Sequence, residues 1–339
     1  MTIPATGLGT GAYSQNPAST APECWAGVAT TGAKDLGCSA AVTTAVKAYI
    51  ALCQAGGVVA RIDSANSYLN QVTVGAAIAA SGVPRSSIFV LTKMGPSHPL
   101  GGPDMLAQFD QVLADTGLAY VDMALIHWPF DSASQGNVTN NTTASLDPAC
   151  QPFSPSTYNM TTCRLNSWRA MLQIWASGKA RAVGVSNYNE SHFLEIQAAG
   201  LPMPSLSQNP YHLYRSSSQD GNRAYMRDYN VTFLAYSPLG VPDWAHFPTG
   251  TGMSDNMLAD PVLLAVAAQA GLSPAQTVLL WLWQLGIPTN PRTLKSEHMA
   301  ENLGVYSLGK LLTAAQMTQL SSRPQAWCAV DPKYYDCPS

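Results

Sequence analysis

Short runs of β-branched and apolar residues recur eight times along this chain, separated by stretches of helical periodicity. Strands that alternate with helices are joined by crossovers, so they pair in parallel and form a sheet that helices must cover. The runs are Thr6–Thr10, Val58–Asp63, Ile88–Lys93, Val121–His127, Ala182–Ser186, Ser205–Gln208, Thr232–Ser237 and Ile287–Arg292. Helix starts lie between them. Asp260-Pro261 sets a capping carboxylate before a proline at the first helical position. Ser273 and Gln276 have the spacing of a capping box. No internal repeat and no linker divides the 339 residues, and barrels routinely exceed about 250 residues as one unit. The spacing predicts an α/β chain, a (β/α)8 TIM barrel formed as a single domain over residues 1–339.

Three segments break the rhythm: about 13–39, about 130–165 and the C-terminal stretch 321–339. Each holds a pair of cysteines, and long loops in a barrel need a reason to stay ordered. The expected bridges are Cys24–Cys38, Cys150–Cys163 and Cys328–Cys337. Each closes a loop of roughly ten to fifteen residues, where a disulfide contributes roughly 3 kcal/mol. Cys53, in an apolar helical stretch, reads as a small buried hydrophobe. Acceptor motifs for N-glycosylation occur at Asn137, Asn140, Asn141, Asn159, Asn189 and Asn230. Paired cysteines and clustered sequons together point to a secretory-pathway lumen or secretion, with a cytoplasmic enzyme as the alternative. Met1-Thr2-Ile3-Pro4 shows no signal peptide, so the expectation is that one was removed.

Composition excludes several function classes. Charged residues make up only 11% and the formal net charge is −3, which offers no basic face to a nucleic-acid backbone. The richest apolar run, Val278-Leu279-Leu280-Trp281-Leu282-Trp283, is too short to span a bilayer. No cysteine pair has CxxC spacing and no metal-ligand cluster is visible, so no metal is expected. Trp281 and Trp283 both read as core. The remaining expectation is a monomer acting on a small molecule.

Polar residues at the ends of otherwise apolar strands carry the chemistry. Asp63 ends the second strand, with Tyr68 shortly after it. Lys93 ends the third strand and His127 the fourth. A buried lysine needs an opposite charge, and Asp63 supplies one. Lys93 would stabilise a tyrosinate, so it is expected to lower the Tyr68 pKa from about 10 toward the working range. A phenol tuned in this way can protonate a developing alkoxide, while His127 orients the same oxygen.

In this order and context the chain resembles the aldo-keto reductases over most of its length outside the three insertions. Ile3-Pro4-Ala5-Thr6-Gly7-Leu8-Gly9-Thr10-Gly11 is similar to the family's opening strand, which implies that Gly9 and Thr10 border a cofactor. Asp63, Tyr68, Lys93 and His127 fall on its catalytic tetrad. Gly184-Val185-Ser186-Asn187 and Gln208 resemble the nicotinamide carboxamide ligands. Tyr236, followed by Ser237 and Leu239, resembles the aromatic stacked on the nicotinamide ring and its turn. Arg292, Thr293, His298, Glu301 and Asn302 resemble the segment that holds adenosine and its 2′-phosphate. The resemblance implies NADPH as cofactor and reduction of an aldehyde or ketone by hydride transfer, with Tyr68 as general acid. Trp128, Trp244 and Trp327 fall in loops on the catalytic face, where substrate contact and loop packing are equally open readings.

Several positions depart from the family pattern. His298 stands where an arginine is frequent, Gly11 replaces a frequent aromatic, and the eighth strand is unusually polar and contains Pro288. A glycine-rich Rossmann reading of Gly7–Gly11 fails because no helix follows directly. His98, His192, His212 and His246 fall in no catalytic pattern. The alternative function is a cofactor-binding regulatory protein, or a secreted binding protein, on the same fold without turnover.

Overall fold

The computed structural model describes residues 2–11, 39–95, 99–130, 145–151, 158–215, 217–240 and 256–323. Eight parallel strands form one sheet in sequential order. They are β1 (Leu8–Gly9), β2 (Ala60–Asp63), β3 (Ile88–Met94), β4 (Met123–Ile126), β5 (Val183–Ser186), β6 (Leu206–Pro210), β7 (Thr232–Tyr236) and β8 (Thr289–Asn290). The seam between β8 and β1 is joined by a parallel bridge from Thr6 to Thr289, with further backbone bonds from Gly7 N to Thr289 O and from Gly9 N to Pro291 O, each 3.0 Å. The expected (β/α)8 barrel is formed. The ends shrink where the apolar run is weakest. Only two residues of Ile287–Arg292 pair as β8, because Pro288 and Pro291 have no N–H to give to a ladder.

The described helices are α1 (Ser39–Ala55), α2 (Gln71–Ala79), α3 (Gly102–Thr116), α4 (Met160–Ala176), α5 (Glu190–Ala198), α6 (Ser217–Asp228), α7 (Pro261–Ala270), α8 (Pro274–Gln284), α9 (Ser296–Gly304) and α10 (Ala314–Ser321). Asp260 caps α7 by accepting from the amides of Val262 and Leu263. Ser273 and Gln276 form the capping box of α8. Helix α4 begins inside the segment expected to be a loop. Asn159 starts it by accepting from Thr162 N, a cap that spacing to a following Glu or Gln does not reveal.

Side-chain alternation splits the apolar residues into two cores. Outward residues such as Ile62, Val90 and Ile126 join the helices in the large outer core. Inward residues Phe89, Leu91, Met123, Leu125, Ala182, Leu206 and Leu234 fill the barrel itself. Trp281 is buried at 0% exposure, but Trp283 is 41% exposed and corrects the expectation that both are core. Two residues apart on a helix lie about 200° apart around its axis, so one core face cannot take both.

Cys150 and Cys163 are disulfide-bonded, tying the turn Pro148–Cys150 to α4, and Cys53 is free and buried. The bridges expected at Cys24–Cys38 and Cys328–Cys337 lie outside the described residues. Of the sequon asparagines, Asn159 and Asn189 cap α4 and α5. Asn230 is exposed in the left-handed region at φ 57°. Asn137, Asn140 and Asn141 lie outside the described residues.

Candidate active site

The same alternation that fills the barrel also places the site. On β3 the inward residues are Phe89, Leu91 and Lys93; on β4 they are Met123 and Leu125, with His127 next. On β2, β6 and β7 the inward series end in Asp63, Gln208 and Tyr236. On β3, β4, β6 and β7 apolar side chains lie low in the barrel and a polar one stands at the C-terminal mouth, whereas on β2 the inward residue below Asp63 is the buried Arg61. Register makes neighbours of them, with Asp63 beside Leu91, Lys93 beside Leu125, and Ser186 beside Gln208.

All four expected catalytic side chains meet there. Lys93 Nζ donates to Asp63 Oδ1 at 2.5 Å, to the Ser64 carbonyl at 3.2 Å and to the Tyr68 hydroxyl at 3.2 Å. Gln208 Nε2 donates to Asp63 Oδ2 at 2.6 Å, so both carboxylate oxygens are engaged. The His127 ring meets the Tyr68 ring edge-on at 5.6 Å between centroids. Tyr68 sits on a single 3-10 turn, Asn66–Tyr68, and its ring lies against Gly11. A Cβ at position 11 would come within 2.7 Å of that ring, which explains why glycine replaces an aromatic here.

Burial governs the electrostatics. It opposes the Lys93 charge, but Asp63, helped by Tyr68, outweighs it and holds the ammonium above its ordinary pKa. For Tyr68 the outcome differs from the sequence expectation. Burial of the hydroxyl raises its pKa more than Lys93 and Arg292 lower it, so the net shift is upward and the phenol stays protonated. Burial first, then the Lys93 charge, push His127 well below the usual imidazole value, despite its contact with the Gly95 carbonyl. The ring is therefore neutral at neutral pH. His127 Nδ1 lies 3.2 Å from Gly95 O and 3.3 Å from Ser67 Oγ. Sequence reasoning missed Ser67; its position immediately before Tyr68 was the available signal.

His127 shares its neutral burial with His212, which burial and then Arg215 push down to about 3. The unfolded chain takes up protons near pH 6.5 while these folded imidazoles do not. Stability from this source is complete above that pH and is lost as pH falls toward the folded values. We expect these two histidines to lower the urea unfolding free energy by about 2–3 kcal/mol between pH 7.5 and 5.5, about 1.4 kcal/mol each, most of it over the one pH unit below about 6.5. Equal unfolding free energies at the two pH values would rule this out.

The residues expected to hold a nicotinamide converge beside the tetrad. Asn187, at φ 61°, donates from Nδ2 to His127 O at 2.9 Å and to Ser186 Oγ at 3.1 Å. Its Oδ1 accepts from the Tyr236 hydroxyl at 2.8 Å. Ser186 Oγ donates to Gln208 O at 2.7 Å. Gln208 Oε1 has no partner among the described residues, so an amide acceptor remains for a carboxamide. Tyr236 is half-buried and is followed by a turn with Ser237 at φ 49° and a half-buried Leu239. Gly9 and Thr10 adjoin on β1 and just beyond it. The Thr10 hydroxyl is buried and donates to Asp63 O at 2.8 Å, so this side chain braces β2.

At the end of β8, exposed Arg292 donates from Nη1 to Gly11 O at 3.5 Å, which sets a cation beside the tyrosine. Thr293 Oγ1 lies 3.5 Å from His298 Nδ1. On α9, Asn302 is buried and the Glu301 carboxylate accepts from the Ser273 hydroxyl at the start of α8. Trp128 is half-buried, stacked on His127 and tilted against Phe130, while Trp244 and Trp327 lie outside the described residues. Among the described residues no group of three or more His, Cys, Asp or Glu is placed to hold a metal ion.

Comparison with known proteins yields one family. The profile of the Aldo/keto reductase family matches residues 28–323. Morphine 6-dehydrogenase of Pseudomonas putida is 32% identical over 259 residues, 76% of each chain. An aldehyde reductase of Saccharomyces cerevisiae is 29% identical, over 73% of this chain and 74% of its own. Among solved structures, an aldo-keto reductase of Bombyx mori in complex with NADP aligns with a TM-score of 0.71 at 22% identity, covering 99% of this chain and 95% of that one.

Proposed function

The chain belongs to the Aldo/keto reductase family, whose members are NAD(P)H-dependent oxidoreductases, and from that premise we propose that it reduces an aldehyde or ketone to an alcohol with NADPH, Tyr68 supplying the proton. One observation carries the reading: the Tyr68 hydroxyl lies 3.2 Å from a buried ammonium that is itself locked to Asp63. The Bombyx mori relative was solved with NADP, and the donor set at this mouth fits such a group. Asn187 and Gln208 match a carboxamide, the Tyr236 ring offers a face to a flat heterocycle, and Arg292 suits a phosphate dianion through bidentate hydrogen bonding.

When bound, the reduced nicotinamide supplies a hydride to the carbonyl carbon. As the carbonyl π pair moves onto oxygen, Tyr68 passes its proton to that oxygen and becomes a phenolate. Lys93, already within hydrogen-bond reach, stabilises the phenolate, which solvent then reprotonates. Because burial holds Tyr68 protonated at rest, the acid is loaded before the reaction begins. Asp63 and Gln208 keep Lys93 aimed at Tyr68, so the ammonium does not reorganise as charge develops.

Neutral His127 orients the carbonyl only in one tautomer. If Nδ1 carried the proton toward Gly95 O, Nε2 would face the mouth as a lone pair. A hydroxyl proton donated from Ser67 to Nδ1 selects the form whose Nε2–H can bond a carbonyl oxygen. Ser67→Ala is therefore expected to lower kcat/KM about five-fold, the weight of roughly 1 kcal/mol of hydrogen bonding, with no change in thermal unfolding. Unaltered kinetics in that variant would remove Ser67 from the mechanism.

The direct test follows NADPH oxidation by absorbance with a reactive aromatic aldehyde, alongside NADPH binding by fluorescence quenching. Turnover is expected. Tight binding without turnover across a panel of aldehydes and ketones would instead support the regulatory or binding-protein reading.

A further inference from the structure

Arg61 is a buried charge that this mechanism leaves unused. It lies on β2 two residues before Asp63, on the same inward face, and is 0% exposed. Its Nη2 donates to the Thr289 carbonyl across the seam, but Nε and Nη1 have no partner among the described residues. It forms no ion pair among the described residues. Glycine at position 7 accommodates it, since a Cβ there would lie 2.5 Å from Nε. The titratable groups facing it are Tyr49 of α1, Tyr306 just after α9, and Asp63; Cys53 is reached only through Tyr49. Burial pulls its pKa down, yet an arginine stays protonated in proteins.

A lone buried guanidinium is costly unless something anionic offsets it. Among the described residues, the charged side chains on the inward faces of the strands are one carboxylate, Asp63, and two cations, Lys93 and Arg61, while His127 is neutral. With Tyr68 protonated the set carries a surplus of one positive charge. With Tyr68 ionised the charges cancel, and Arg292 at the rim acts in the same sense. We propose that Arg61 is a positioning residue whose unmatched charge, relayed through Asp63, favours the anionic form that Tyr68 takes when it gives up its proton. The assignment rests on Tyr68 as the proton donor, and the side chain does double duty as a clamp on the β8–β1 seam.

The test titrates Tyr68 by ultraviolet difference absorbance, subtracting the Tyr68→Phe background, in wild type, Arg61→Met, Arg61→Gln and Arg61→Lys. This readout needs no turnover, so it stays separate from failure of the reductase reading. In folded Arg61→Met or Arg61→Gln the Tyr68 titration should move up by about half to one pH unit, the scale of one charge acting across the barrel interior. The alkaline limb of kcat should move with it, and Arg61→Lys should leave both in place. An unmoved titration in either neutral variant would overturn the proposal. So would loss of folding in both neutral variants with Arg61→Lys intact, because Arg61 would then be a seam clamp alone.

Discussion

Replacing Tyr68 with phenylalanine is expected to lower kcat/KM for aldehyde reduction by at least about 10²-fold, with thermal stability and NADPH binding near those of wild type. The substitution removes one oxygen and nothing else. The ring keeps its edge contact with His127 and its place under the Lys93 ammonium, 4.9 Å from the centroid. Lys93 loses one acceptor but retains Asp63 and Ser64 O, so no buried charge is orphaned. Among the described residues no replacement acid stands at the mouth. His127 is neutral, and Lys93 is held to Asp63 with its pKa above the usual value. A loss of less than about ten-fold in steady-state assays, in a variant that still binds NADPH, would mean that the proton comes from elsewhere.

Replacing Lys93 with methionine tests the other half of the arrangement and should fail in stability as well as in rate. Lys93 is 0% exposed and its partner Asp63 is buried with it. Taking away the ammonium leaves a carboxylate with only Gln208 as a side-chain donor, at a cost of about 3–5 kcal/mol for a broken buried pair. It also removes the charge that stabilises a Tyr68 phenolate. Urea unfolding would measure the first effect and kcat the second. The double variant Asp63→Asn with Lys93→Met removes the broken pair but also takes the facing carboxylate from the buried Arg61, so it should recover only part of the stability and none of the activity. A single Lys93→Met variant within about 1 kcal/mol of wild type would show that the pair is not held in the folded barrel as described.

Much of this architecture was legible from spacing. Asp63, Lys93 and His127 were found because each ends an apolar strand run, and alternation is a local property that any short stretch displays. The eight strands followed for the same reason, as did the caps at Asp260 and Ser273, whose partners lie within three residues. The Asn159 cap, whose third residue is Thr162 in place of a Glu or Gln, escaped that pattern and hid the start of α4. Trp283 was misplaced because an apolar run does not show which side of a helix each residue takes.

What required the tertiary structure is whatever depends on residues far apart in the chain, or on how completely water is excluded. Gln208 reaches Asp63 across 145 positions and Arg61 reaches Thr289 across 228, contacts that no local pattern encodes. The cluster Gly7-Leu8-Gly9-Thr10-Gly11 acquired its explanation only when Arg61 and Tyr68 were seen to occupy the space that side chains at positions 7 and 11 would need. The direction of the Tyr68 shift was decided in the same way. Sequence placed Lys93 beside the phenol and so argued for a lower pKa. The opposing effect is desolvation, which is set by the surrounding barrel and exceeds the attraction of a single ammonium already committed to Asp63.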